Sequence, residues 1–409
     1  MSERDSEQRH PPRNIVRSLL RAVVLLSCVA LLTAGVFVSS RYLSNRRLMA
    51  SFQPFGSRGD GIVFGWNGPA TDWLERWIGT DAAVAVLCRP ESIRVYAPDN
   101  VVADATVQLA LQSCSGLDQI FIHNRNLPNG CLEAIATRHC VETFHFRLPT
   151  ILPADAQWLS KMSQLKHVNV GQFVREARHN DWSWLKALPD LEYLEVTLWG
   201  ACDEDVVALA ECPAAKNLSL SGESLSDDAV KRLCDLSALQ FLDLYGPQIH
   251  LHFANGRKLP PSLEALDLRS EGIDDASLVA IAGLPRIKRI SISNCRVTDS
   301  GLETLARLPA LNQLWLDNLL EVTDNGLKSL TANTSLTEIH VVRCGTTPLG
   351  LIQLNDIPNW RELRFDNIEI RREPGAAPPI LTPENVVDYL SMQREMQHMQ
   401  QRVYNGPVL

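Results

Sequence analysis

Residues 287–310 read IKRISISNCRVTDSGLETLARLPA, and residues 311–335 repeat the plan as LNQLWLDNLLEVTDNGLKSLTANTS. Each copy opens on apolar residues spaced L-x-x-L-x-L: Ile287/Ile290/Ile292, then Leu311/Leu314/Leu316. Alternation of the last two with polar neighbours predicts a short strand buried on one face. Val297-Thr298-Asp299-Ser300-Gly301-Leu302 follows in the first copy, and Val322-Thr323-Asp324-Asn325-Gly326-Leu327 in the second. Thr or Asp ahead of an apolar 3–4 spacing is a helix N-cap, and Leu305 and Leu330 continue the buried stripe. Pro309 after Leu308, like Pro285 after Leu284, ends the helix before the next strand. One unit is therefore a strand, a turn and a helical return.

Working outward, the same template recurs at Leu117/Ile120/Ile122, Val141/Phe144/Phe146, Leu165/Val168/Val170 and Leu191/Leu194/Val196. It continues at Ala215/Leu218/Leu220, Leu239/Leu242/Leu244 and Leu263/Leu266/Leu268, and closes at Leu336/Ile339/Val341 and Trp360/Leu363/Phe365. Successive starts lie 24 residues apart, apart from one gap of 26 and one of 25. Ile93 and Val95 mark an irregular first strand, which brings the repeat region, 93–370, to 11–12 units. One unit cannot bury both its strand and its helix leucines, whereas stacked neighbours bury them together.

These registered copies resemble the leucine-rich repeat family, and the bacterial membrane-anchored type within it. The resemblance implies an α/β solenoid, a horseshoe or arc with a parallel sheet on its concave side and helical or looped returns on its convex side. Twelve strands about 4.8 Å apart would span roughly 53 Å. Two units break the helical pattern: 170–191 carries two extra residues with Trp182 and Trp184, and 244–263 carries Gly246-Pro247 and Lys258-Leu259-Pro260-Pro261. Both are expected to return as loops. Ile273-Asp274-Asp275 and Leu225-Ser226-Asp227-Asp228 should open helices.

Ahead of the repeats, residues 22–40 are nineteen uncharged residues, AVVLLSCVALLTAGVFVSS. As a helix they reach about 28 Å, close to the hydrocarbon thickness of a bilayer. Five Arg precede the run and Arg41, Arg46 and Arg47 follow it, which favours a cytoplasmic N-terminus over 1–21. The reading is a transmembrane signal-anchor helix with the repeats outside the cytoplasm. Its alternatives are secretion after signal-peptide cleavage, a lipoprotein box at Leu25-Leu26-Ser27-Cys28, and a buried soluble helix. Residues 41–70 read as a juxtamembrane linker and 71–92 as an N-terminal capping segment, with Trp73, Leu74, Trp77 and Ile78 as an apolar stripe. Residues 371–383 form a Pro-rich linker, and 384–409 a C-terminal helix and tail.

The chain has 409 residues, 39 basic and 47 acidic, for a formal charge of −8. Residues 1–50 hold eight Arg and three acids (+5), which leaves −13 for the remainder. Such acidity argues against nucleic acid as a partner. No P-loop, dinucleotide fingerprint, H-E-x-x-H or G-x-S-x-G occurs, so no enzyme, cofactor, metal or small-molecule substrate is expected. Cys212 occupies a leucine slot, as does Cys114. Cys295 and Cys344 fall in the turn slot that the family fills with Asn or Cys. Asn217-Leu218-Ser219 and Asn333-Thr334-Ser335 match the glycosylation tripeptide, the first within a strand.

What remains is surface. Strand residues between the leucines alternate outward and line the concave sheet. The middle positions run Phe121, His145, Asn169, Glu195, Ser219, Asp243, Asp267, Ser291, Trp315, His340 and Arg364. Candidate partner-binding residues on this face are Tyr193, Phe241, Tyr245, Arg289, Trp315, Arg269 and His167, because aromatics and Arg carry most interface energy. The expected function is a membrane-anchored module binding an unknown protein partner. The alternatives are an F-box-like substrate adaptor, and an enzyme with a cryptic metal site at His123, His145 and His167.

Overall fold

A computed structural model of the chain describes residues 61–67, 89–96, 107–108, 111, 117–122, 130–137, 141–172, 179–223, 225–247, 249–251, 257–365 and 368–371. The expected anchor, the Trp73–Ile78 stripe, His123, Cys114 and the C-terminal helix lie outside these residues. So does the Pro-rich linker, apart from Arg371. Among the described residues no helix is long and apolar enough to cross a membrane.

The chain divides into two compact units, residues 1–121 and 122–409. In the first, β1 (Gly61–Asn67) pairs antiparallel with β2 (Arg89–Tyr96), with a bulge between Gly65 and Trp66. β1 thus falls within the stretch read as linker. Ile93 and Val95 are buried in β2 as their alternation requires. β3 (Gln119–Ile122) reaches the boundary between the units.

The second unit carries the repeats. Its strands are β4 (Thr143–Arg147), β5 (His167–Gln172), β6 (Tyr193–Trp199), β7 (Ala215–Ser221) and β8 (Phe241–Tyr245). They continue as β9 (Ala265–Arg269), β10 (Arg289–Ser293), β11 (Gln313–Asp317), β12 (Glu338–Val342) and β13 (Glu362–Phe365). From β4 to β13 every neighbouring pair is parallel. β14 (Ile368–Arg371) then turns back antiparallel on β13. It covers an edge that would otherwise expose unpaired backbone groups, and nothing in the repeat spacing announces it.

The core is the set of slots the template names. Leu266, Leu268, Ile290, Ile292, Leu314 and Leu316 are fully buried, and each contributes roughly 1.5–3 kcal/mol by leaving water. Opposite them lie short helices: α1 (Cys131–Ala136), α2 (Pro153–Leu159), α3 (Asp203–Ala210) and α4 (Asp227–Arg232). α5 (Asp299–Ala306), α6 (Asp324–Leu330) and α7 (Pro348–Gln353) complete the series. Thr298 and Thr323 cap α5 and α6 with their hydroxyls, and Ser226 caps α4.

Both irregular units return without an α-helix among their described residues. Ser183–Ala187 is a 3-10 turn in which Trp184 is fully buried and fills the volume a helix would otherwise supply. The return opened by Ile273-Asp274-Asp275 differs from expectation, since Ser277–Ile281 is also 3-10. There Asp274 accepts hydrogen bonds from both the N–H and the hydroxyl of Ser277, a local turn that competes with the helix.

The larger departure is in register. Val170 aligns with Val196 as the template demands, yet Val196 then aligns with Leu218 and Leu198 with Leu220. A bulge sets Ala215 and Asn217 against the consecutive residues Leu194 and Glu195. The sheet therefore steps by two residues between β6 and β7, although their apolar starts lie 24 apart. The step offsets the two extra residues of the preceding unit. Glu195 consequently stands beside Asn217, and Thr197 takes the place beside Ser219 that the template gives to Glu195.

Candidate partner-binding face

Each strand of the second unit presents its non-leucine positions on the face away from the helices. Register places Asn217, Phe241, Ala265, Arg289, Gln313, Glu338 and Glu362 in one row. The neighbouring row runs Ser219, Asp243, Asp267, Ser291, Trp315, His340 and Arg364.

Two small residues shape the middle of this face. Ala265 lies between Phe241 and Arg289, and over its small methyl group the Arg289 guanidinium carbon comes 5.5 Å from the Phe241 ring centroid. The same carbon is 6.0 Å from the Trp315 ring, diagonally across Ser291. Arg289 thus lies between two aromatic faces, a cation–π arrangement that orders a long side chain before any partner arrives. Trp315 stacks on His340 at 4.9 Å and 12°, and remains 39% exposed. His340 in turn lies 3.7 Å from Glu362, which accepts a 2.7 Å hydrogen bond from Arg364.

Beneath the arginine, Asp243 and Asp267 face each other on adjacent strands. Ser219 donates to Asp243 Oδ2 at 2.8 Å, and Arg289 reaches Asp267 at 3.6 Å. Among the described residues, the Oδ1 atoms of both carboxylates are buried without a hydrogen-bond partner. Burial pushes the Asp267 carboxyl above its ordinary range, a shift that Arg289 opposes and Asp243 reinforces. Carboxylates kept short of partners are what an incoming donor would satisfy.

Of the residues singled out from sequence, Phe241, Arg289 and Trp315 converge here. Tyr245 and Arg269 sit side by side one row further on, Tyr245 being 56% exposed. Tyr193 and His167 form a separate cluster on β5 and β6, with ring centroids 6.1 Å apart. There Tyr193 donates to Glu195 at 3.0 Å and accepts from Asn217 at 2.5 Å, while Lys216 lies 5.7 Å from its ring. Burial first, and the Glu195 charge second, push the Tyr193 hydroxyl up to about 12. His145 aligns with Asn169 whereas His167 aligns with Thr143, so the two histidines occupy different rows. Asp243 and Asp267 were legible only as row members, because their unpaired oxygens depend on how Arg289 lies.

The turn and core cysteines behave as their slots require. Cys295 and Cys344 donate to the carbonyls of Ser293 and Val342 in their turns, and Cys212 is buried. Asn333 is buried too, bonding Ala306 and Leu308 carbonyls, which removes it as a sugar acceptor.

A family model described as Leucine Rich repeat matches residues 287–306. Among curated proteins none matches the sequence. Similar solved structures include an internalin, inlF, of Listeria monocytogenes, 16% identical over 61% of this chain and 75% of that one, with a TM-score of 0.43. The internalin C2 of the same organism is 19% identical over 66% of this chain and 96% of its own, at 0.34. The TLR13–ssRNA13 complex is 16% identical over 68% of this chain and 39% of the TLR13 chain, at 0.46.

Proposed function

We propose that the chain, whose residues 287–306 match a leucine-rich repeat model, is a non-catalytic binding module of that type that takes a protein partner on its open sheet face. The observation that carries this reading is the ordered group of Phe241, Arg289 and Trp315 over the Asp243–Asp267 pair. Aromatic and arginine side chains are the usual anchors of an interface hot spot, and the two carboxylates beside them each keep one oxygen without a hydrogen bond among the described residues. Tyr193 and His167 extend the surface along the sheet, and Tyr245 and Arg269 widen it.

The proposal also places the module at a membrane. Residues 22–40 have the length and apolarity of one span, and the basic segment before them suits the cytoplasmic side. Retention of the protein in membranes washed with alkaline carbonate supports this, and release into the wash defeats it.

The face is tested by cross-linking the full chain in its native membrane and comparing wild type with Tyr193→Ala/Phe241→Ala/Trp315→Ala. A partner captured by wild type should be lost from the triple variant. Equal capture by both would place the contact elsewhere.

A further inference from the structure

The irregular return between β5 and β6 meets the start of α3 at a buried carboxylate. Asp205, 1% exposed, accepts from Asn180 Nδ2 at 2.9 Å and Trp182 Nε1 at 2.8 Å on one oxygen. Its other oxygen accepts from the Cys202 N–H at 3.1 Å and the Cys202 thiol at 3.2 Å. Asn180 is fixed in turn, its Oδ1 accepting the Ile151 N–H at 2.9 Å. The backbones at 180 and 202 are therefore clamped against each other across one repeat.

On the solvent side of that clamp three dissimilar ligand atoms converge. His179 Nδ1 lies 3.9 Å from Cys202 Sγ and 3.8 Å from Glu204 Oε2, and the three atoms lie within 4.8 Å of one another. A tetrahedral zinc with bonds of about 2.0–2.3 Å needs ligand atoms roughly 3.3–3.6 Å apart. His179 and Glu204 side chains are 81% and 70% exposed, which leaves them room to close on Cys202 Sγ. Asp203 does not join them, because it accepts the Ser226 N–H at 2.8 Å.

We propose that His179, Cys202 and Glu204 form a site for a borderline divalent cation, Zn²⁺ being the best match, with water as the fourth ligand. One imidazole, one thiolate and one carboxylate are the donor set that zinc accepts and magnesium or calcium does not. Coordination exchanges the thiol proton, now donated to Asp205, for the cation, and the proton leaves to buffer. Asp205 keeps the Cys202 N–H and the Trp182 indole N–H, and so fixes the backbone that carries the sulfur. A bound ion would add a second tie between the looped return and α3, beside the Asp205 hydrogen bonds.

The test uses the full chain in detergent, stripped with chelator and titrated with Co²⁺ and Zn²⁺. Wild type should take up one equivalent, with a near-ultraviolet thiolate-to-cobalt band and visible absorption of tetrahedral intensity. Cys202→Ser should abolish the band, and His179→Ala or Glu204→Gln should weaken uptake by more than about tenfold. Cys234→Ser, at a cysteine away from the cluster, should leave both unchanged. Serine is a good N-cap, so Cys202→Ser should keep the fold, checked by its melting curve. A band that survives Cys202→Ser, or wild-type zinc content no higher than that of the Cys202→Ser variant, overturns the site.

Discussion

Asp299 accepts both the backbone N–H of Thr323, at 2.7 Å, and its hydroxyl, at 2.6 Å, from one repeat further along the chain. Asp275 does the same for Thr298, and Asp324 for Thr347. Each aspartate begins its own unit's return and steadies the cap of the next. Neighbouring units are thereby tied by side chains as well as by the sheet.

Removing one step of this ladder should be felt as a loss of coupling. Asp299→Ala leaves the Thr323 N–H to water and should cost about 1–2 kcal/mol, the usual range for charge-assisted bonds near a surface. Thr323→Val should cost a similar amount, and the double variant little more than either single one. Urea unfolding midpoints of the four proteins give the coupling directly. Strictly additive losses would mean that the pair does not act as a unit.

The same aspartate explains a glycine. A Cβ at Gly326 would sit 2.4 Å from Asp299 Oδ1 and 3.1 Å from Leu302 Cδ1. Gly326→Ala should therefore destabilise by about 1–3 kcal/mol, as overpacking does. In an Asp299→Ala background the carboxylate clash is gone, the flexible end of Leu302 is the tight contact left, and alanine's helix preference, up to about 1 kcal/mol, should dominate. Thermal melts of both pairs check for that reversal, and a cost that persists without Asp299 would assign the glycine to something else.

This ladder also marks what the sequence could and could not reveal. Val297-Thr298-Asp299-Ser300-Gly301-Leu302 advertised a capped helix because cap, carboxylate and glycine are local. Ile273-Asp274-Asp275-Ala276-Ser277-Leu278 resembles it, but Ser277 takes the glycine slot and turns back on Asp274, so the return is 3-10. The register step between β6 and β7 was hidden behind an unbroken 24-residue spacing. Its trace was the third apolar residue, Leu198, which continues the alternation of Leu194 and Val196. At the binding face, the rows were readable but the reach of Arg289 over Ala265 was not, since it depends on a small side chain on the strand between Arg289 and Phe241. His179 and Cys202 escaped notice because metal motifs are sought within a few residues, whereas a repeat brings together positions about one period apart.

Asp267 should show the conflict between binding and stability that exposed sites often carry. Its carboxyl is raised by burial, with Asp243 adding to the shift and Arg289 opposing it. A carboxyl whose folded value is raised favours the protonated form, so its stabilising contribution is present at acid pH and lost as pH rises through the folded value. At neutral pH, Asp267→Asn should then raise stability slightly, by less than about 1 kcal/mol, while weakening partner capture. At acid pH the stability gain should vanish. Equal melting temperatures at neutral pH, with capture intact, would remove Asp267 from the site.

Tyr193 supplies the alkaline counterpart. Burial and the Glu195 charge raise its hydroxyl from 10.0 to about 12. An unfolded tyrosine ionises near 10, so between that pH and about 12 the unfolded chain releases a proton that the folded chain retains. The contribution of Tyr193 to stability is accordingly whole below pH 10 and lost as pH climbs through its folded value. Ultraviolet titration of tyrosinate should show one late-ionising residue in wild type that is missing from Tyr193→Phe. Glu195→Gln, which removes the second cause and the charged acceptor at 3.0 Å, should move that residue to lower pH without abolishing it. If the late step is unchanged in both variants, it belongs to another tyrosine, and the hydrogen-bonded cluster of Tyr193, Glu195 and Asn217 does not hold in solution.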